Sequence, residues 1–343
     1  MTIINELAST ISKLAVHGKG ILAADESTAT ITKRFQANGI DSNEDTRRAY
    51  REMLLTTPKI NEYIAGVILF EETLLQNTSH GTAFPEALSK LNILAGIKVD
   101  KGLASLPFTE NEKVAQGLDG LTERLTEYKA KGATFAKWRS VYDISATTPS
   151  RLAIKSNAEV LARYAAICQS VGIVPIVEPE VLIDGDHTIA RCEEVSEPVL
   201  QAVFHALNLL KVKLECIVLK PSMIISGKTC KQQASVSEVA EATLRVLKRT
   251  VPAAVPTINF LSGGQTSEQA TAHLNAMNAK GNLPWNLSYS YARALQDYAM
   301  KTWAGKSQNI QTAQEQFSKR AKLNSLAAMG KYSDSMEKET VTA

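Results

Sequence analysis

The sequence predicts an α/β chain folded as one closed (β/α)8 barrel, a TIM barrel. Three observations carry that expectation. Eight short apolar runs recur along the 343 residues, spaced roughly 30–45 residues apart, the length of one strand, one helix and their loops. Segments of helical periodicity lie between them, and strands that alternate with helices build a parallel sheet. Run after run also ends in a charged or hydroxyl residue, where a strand buried on both faces should read as Val, Ile and Leu. In a closed parallel barrel all strand C-termini meet at one face, so these polar ends would share a single mouth.

Taken in order, Ile4, Leu7, Ile11 and Leu14 recur at spacings of three and four and predict an N-terminal amphipathic helix. The first run, GILAADE, ends with Asp25 and Glu26, and IAGVILF is the second. AGIKVD carries Lys98 and Asp100, and ATFAKWR carries Lys137 and Arg139. IVPIVEPE ends with Glu178 and Glu180, and CIVLKP with Lys220. TINFLSGG closes on Ser262, Gly263 and Gly264, and NLSYSYAR on Ser290 and Arg293. Between them, Val160, Leu161, Tyr164 and Ile167 line one face of a helix over 157–170. Val239, Thr243, Val246 and Leu247 do so over 237–249, with Ser237 and then Glu241 read as its start. A doubly wound sheet would carry a glycine-rich turn after its first strand, and AADESTAT has none. No shift in composition marks a second domain. Residues 1–330 are expected to form one unit, and the polar stretch 331–343 a mobile tail.

Composition narrows the function. Lys and Arg total 38 against 35 Asp and Glu, a net charge of +3. That balance argues against nucleic-acid or membrane-surface partners and leaves room for a local cationic pocket. The four cysteines form no Cys-x-x-Cys pair and read as reduced thiols. No leader-like segment and no long apolar span is apparent, so a soluble cytoplasmic protein is expected. A catalytic zinc site would need clustered nitrogen ligands. The five histidines are scattered, so neither a metal nor another cofactor is expected.

The polar strand ends suggest carbonyl chemistry. Lys220 follows Cys-Ile-Val-Leu, and desolvation there disfavours its ammonium. Lys98 and Lys137 are expected to depress its pKa further by like-charge repulsion. A neutral amine condenses with a ketone to a Schiff base. The plainer alternative is a lysine that snorkels to cap the barrel. Glu178, Glu180 and Asp25 are candidates for the proton transfers such a reaction needs. Ser262-Gly263-Gly264 before a helix opening near Ser267, with Arg293 on the next strand, fits the phosphate site that barrels build after their last two strands. Lys33 and Arg34 are candidates for a second phosphate across the mouth, or simply a solvated helix face.

GKGILAADES, Lys33-Arg34, GVILFEETL, GIKVDKG, FAKWR, VPIVEPE, LKP, FLSGGQ and the S-Y-x-R-A-L-Q run resemble the class I fructose-bisphosphate aldolases. The similarity runs from about His17 to Tyr332, with the motifs in the family's order. It implies cleavage of fructose 1,6-bisphosphate to dihydroxyacetone phosphate and glyceraldehyde 3-phosphate, with Lys220 as the Schiff-base lysine. By the same resemblance Glu178 is the acid–base residue of the carbinolamine steps, and Glu180 its neighbour in the lysine's proton network. Asp25 is the carboxylate at the C4 hydroxyl, Lys137 lies beside the nascent imine, and Arg139 is a nearby basic group. Ser262, Gly263 and Arg293 hold the ketose-end phosphate, while Lys98, Ser27 and Arg34 serve the other end. A homotetramer is implied too. Ala29-Thr30 and Ala292 stand where animal members carry Gly-Ser and Gly. The last tyrosine is Tyr332, so the C-terminal tyrosine that protonates the enamine in many eukaryotic members has no counterpart. Another Schiff-base aldolase, a transaldolase or a non-catalytic sugar-phosphate-binding scaffold are the alternatives. The intact Lys220, Glu178 and Asp25 set argues against the last.

Overall fold

The computed structural model describes residues 2–338. Its strands are β1 (Gly20–Ala24), β2 (Ile64–Leu69), β3 (Leu94–Lys98), β4 (Leu103–Ser105), β5 (Lys113–Ala115), β6 (Ala133–Tyr142), β7 (Val174–Val181), β8 (Val218–Leu219), β9 (Thr257–Phe260) and β10 (Asn286–Tyr291). Eight of them close a barrel in the order β1-β10-β9-β8-β7-β6-β3-β2, every neighbouring pair parallel. The expected (β/α)8 architecture is therefore present. All eight sequence runs fall on its staves. β4 and β5 form an antiparallel hairpin in the loop after β3, which the sequence reading did not anticipate.

The run Cys216–Pro221 contributes only Val218 and Leu219 to the ladder. Even so, the Lys220 N–H donates to the Val177 carbonyl at 2.8 Å. The strand geometry thus extends to the lysine and aims its side chain.

Side chains of a strand alternate between its two faces. Ile21 and Ala23, Val174 and Ile176, Cys216 and Val218, and Phe135 pack together inside the barrel. Leu22, Ala24, Ala136, Trp138, Val177, Ile217 and Leu219 face the surrounding helices. Continuing each inward series by two residues reaches Asp25, Glu178, Lys220 and Lys137. The barrel is apolar at its base and ionic at its mouth because one alternating series changes chemistry along its length.

The helix Ile3–Leu14 plugs the base. Its buried Leu7, Ile11 and Leu14 join the interior cluster, while Ile4 is exposed. The Phe135 ring crosses above this plug and requires a bare backbone opposite. A Cβ on Gly96 would collide with it, and one on Gly66 would lie 2.9 Å from Leu14 Cδ2.

The helix predicted over 157–170 spans Arg151–Ser170, with Leu161 and Tyr164 buried and Val160 and Ile167 half-buried against the core. The expected start at Ser237 is corrected. The helix Val236–Thr250 is capped by Ser235, which exchanges hydrogen bonds with Glu238. A capping box needs a spacing of three, whereas Ser237 and Glu241 are four apart and meet only as side chains, at 3.2 Å. Part of the stretch expected to be a mobile tail is described. Tyr332 is buried, a 3-10 helix covers Asp334–Lys338, and Glu337 pairs with Arg320 at 2.6 Å. The remainder of that expectation, 339–343, lies outside the described residues. Among the described residues no helix is long and apolar enough to cross a membrane.

Candidate active site

Five strands deliver the central groups. Asp25 follows β1, Lys98 ends β3, Lys137 lies within β6, Glu178 within β7, and Lys220 follows β8. Asp25, Lys137, Glu178 and Lys220 are all buried. Lys220 Nζ lies 3.3 Å from Glu178 Oε1. Lys137 Nζ lies 3.4 Å from Glu178 Oε2 and 2.7 Å from Asp25 Oδ2. An unbroken chain of alternating charge thus runs Lys220–Glu178–Lys137–Asp25. Lys98 closes onto Asp100 at 2.6 Å, and Asp100 stands 4.0 Å from Lys137.

These pairings revise the expected electrostatics of Lys220. Its lysine neighbours do not act as bare cations, because Lys137 and Lys98 each have carboxylate partners in contact. Burial works against the Lys137 ammonium, but Asp25, Glu178 and Asp100 outweigh it and raise its pKa. Lys137 is a fixed cation. Burial would also push the Asp25 carboxyl up, yet Lys137, then Lys220 and Lys98, pull it down to about 2. Arg139 is held charged in the same way, with Glu180 as its main partner against desolvation.

A cavity of about 1050 Å³ opens above this chain, and every candidate site residue except Gly264 lines it. It is ample for a hexose bisphosphate, since ligand pockets commonly run to roughly 300–1,000 Å³. At one end Gly263 and Gly264 take positive φ of 57° and 96°, which bends the loop so that backbone N–H groups can approach an anion. The helix Ser267–Ala279 begins just beyond, capped by Thr266, and adds its positive end. Arg293 opens the helix Arg293–Trp303, and its Nη2 would lie 3.4 Å from a Cβ on Gly264. The guanidinium therefore hangs over the glycine turn. At the other end Ser27 caps the helix Thr28–Gln36, which carries Thr30, Lys33 and Arg34 to the cavity wall. The Thr30 hydroxyl lies 3.1 Å from that of Ser27.

Three participants were underread in the sequence. Asp100 and Ser290 were seen as polar strand ends but given no role. Asp100 anchors Lys98, and the Ser290 hydroxyl is buried at the cavity wall with no hydrogen-bond partner among the described residues. Their inward register, two residues beyond Lys98 and Ser288, was the available signal. Glu26 was seen only as the end of the first run. It takes ion pairs from both Arg34 and Arg51, and no local pattern points to those partners.

The sequence model of the class I fructose-bisphosphate aldolases matches residues 6–343. The chain belongs to that family. A protein of Xanthomonas campestris pv. campestris named "Probable fructose-bisphosphate aldolase class 1" is 54% identical over 330 residues, covering 96% of this chain and 99% of that one. "Fructose-bisphosphate aldolase 3, chloroplastic" of Arabidopsis thaliana is 53% identical, over 98% of this chain and 85% of its own length. The Plasmodium falciparum fructose-bisphosphate aldolase, solved in a ternary complex with TRAP and a small-molecule inhibitor, superposes with a TM-score of 0.95. It is 48% identical, with 96% of each chain covered. The chain is thus a class I aldolase, an enzyme that cleaves fructose 1,6-bisphosphate through a lysine Schiff base. Among the aldolase's departures from animal members, Ala292 is the N-cap of the Arg293 helix, and its carbonyl accepts from the Leu295 and Gln296 N–H groups.

Proposed function

We propose that Lys220 is the Schiff-base residue and that Glu178 is its proton carrier. The contact of Glu178 with both Lys220 and Lys137 carries the assignment. Loss of a proton from Lys220 to Glu178 frees the amine to attack the C2 ketone of the open-chain sugar. Glu178 then returns the proton to the carbinolamine hydroxyl, which leaves as water. The resulting iminium draws electrons as the C3–C4 bond breaks and the C4 hydroxyl gives up its proton. Glyceraldehyde 3-phosphate departs, and protonation and hydrolysis of the enamine release dihydroxyacetone phosphate.

A carboxyl held near 2 is a weak base. Asp25 therefore serves to orient the C4 hydroxyl and to fix Lys137, while Glu178 is better placed to accept that proton. Lys137 stabilises the oxyanion of the carbinolamine beside Lys220. Arg139 and Glu180 frame the same wall. Ser262, Gly263 and Arg293 hold the C1 phosphate. Ser27, Arg34 and Lys98 face the C6 phosphate across the cavity.

The cellular role that follows is in glycolysis and gluconeogenesis, in the cytoplasm, as a homotetramer. Free cysteines, three of them buried, fit a reducing compartment. Borohydride added with substrate should leave a reduced sugar adduct on Lys220. Lys220→Ala should lose that adduct and cut kcat by about 10³-fold or more. An adduct on another peptide, or full turnover by the variant, would refute the assignment.

A further inference from the structure

The two cationic ends of the mouth are not equally available. Arg293 is exposed and makes no ion pair or hydrogen bond among the described residues. Both terminal nitrogens of Arg34 are engaged. Its Nη1 donates to Gln296 Oε1 at 2.8 Å and pairs with Glu26, and its Nη2 donates to Asp297 Oδ1 at 2.9 Å. Glu26 also holds Arg51 at 2.9 Å. Two guanidiniums therefore face two carboxylates, and their charges cancel. An arriving phosphate meets little net attraction from this group.

The two carboxylates differ in how firmly they are held. The Glu26 side chain is 8% exposed and clamped by both arginines, whereas the Asp297 side chain is 42% exposed and, among the described residues, has only Arg34 as an ion-pair partner. Asp297 is the partner that can turn out into water without stranding a buried charge. It lies four residues beyond Arg293 on the same helix, so one helix carries the cation at one end of the mouth and contacts the cation at the other.

We propose that Asp297 is a specificity-determining residue, an internal carboxylate that competes with the substrate's distal phosphate for the Nη2 side of Arg34. This rests on the reading of the mouth as a bisphosphate site spanning Arg293 and Arg34. The C1 phosphate meets a free guanidinium, while the C6 phosphate must displace a carboxylate. The exchange narrows the enzyme's preference for fructose 1,6-bisphosphate over fructose 1-phosphate, which has no group to place there.

Steady-state kinetics on both sugars test this in the full-length enzyme. Asp297→Asn keeps shape and removes charge. It should lower KM for the bisphosphate about five-fold, with kcat and the fructose 1-phosphate parameters unmoved. Asp297→Ala should act in the same direction. Arg34→Gln should lower the bisphosphate preference, and adding Asp297→Asn to it should bring no gain. An unchanged ratio of kcat/KM between the two sugars in both Asp297 variants would overturn the proposal, and so would equal shifts on both sugars, the mark of a purely structural role. A wild-type chain that cleaves neither sugar and traps no adduct would instead sink the aldolase reading, and this inference with it.

Discussion

Asp25 is a carboxyl whose charge is maintained by its surroundings against its own burial. In the unfolded chain it titrates near 3.8, and in the fold near 2. The unfolded state therefore binds more protons between those values, and the stability Asp25 contributes is present above about pH 4 and lost as the pH falls toward 2. The contribution is on the order of 2 kcal/mol. The stability gap between wild type and Asp25→Asn, measured by denaturant titration, should be widest above pH 4 and should close toward pH 2. A gap that stays constant would mean that the lysines do not hold this charge. The candidates Asp25, Lys137, Glu178 and Lys220 were legible at this scale because charge at an inward strand position has few structural explanations. The occupancy of Arg34 was not, since its partner Asp297 is 263 residues away.

Among the elements, the glycine loop after β9 is braced by the Gln265 side chain. Gln265 donates to the Ser262 carbonyl at 3.0 Å, and its Oε1 lies 2.6 Å from His273 Nδ1, which fits a donating ring nitrogen. Burial drives the His273 pKa from 6.5 down to about 4. Between those values the unfolded chain takes up a proton that the folded one does not, so stability falls as pH drops from about 6.5 to 4. At pH 5 the loss is about 2 kcal/mol. His273→Asn should escape most of it, so the variant should lose less stability than wild type on going from pH 7 to 5. Equal losses would show that the ring is not buried neutral. The loop's role was readable from Ser-Gly-Gly before a helix and near an arginine. Its brace was not, because a lone histidine in a helix looks like any other core residue.

At the scale of the whole molecule, the barrel works because it is sealed at the end away from the chemistry. Leu14 is wholly buried between the plug helix and the interior. Leu14→Ala should cost about 3 kcal/mol through lost burial and the cavity left behind, visible as a lower urea midpoint. Borohydride should still trap substrate on Lys220 in this variant, since the plug and the lysine lie at opposite ends of the barrel. A stability loss below about 1 kcal/mol would mean that the base is sealed by other contacts. The same global arrangement packs Tyr332 back onto the body. Tyr332 is buried, and its hydroxyl donates to Glu337 at 2.9 Å, where polarity alone had suggested a tail.

The sequence by itself determined the barrel and most of the membership of its mouth. Strand alternation is a local property with a period of two, and parallel closure brings every strand end to one face. Tertiary structure decided which charges neutralise one another. It set Glu178 between two lysines, Asp100 against Lys98, and Asp297 on Arg34. Ion pairing depends on distances of a few ångströms between residues remote in the chain, and no local pattern encodes those distances.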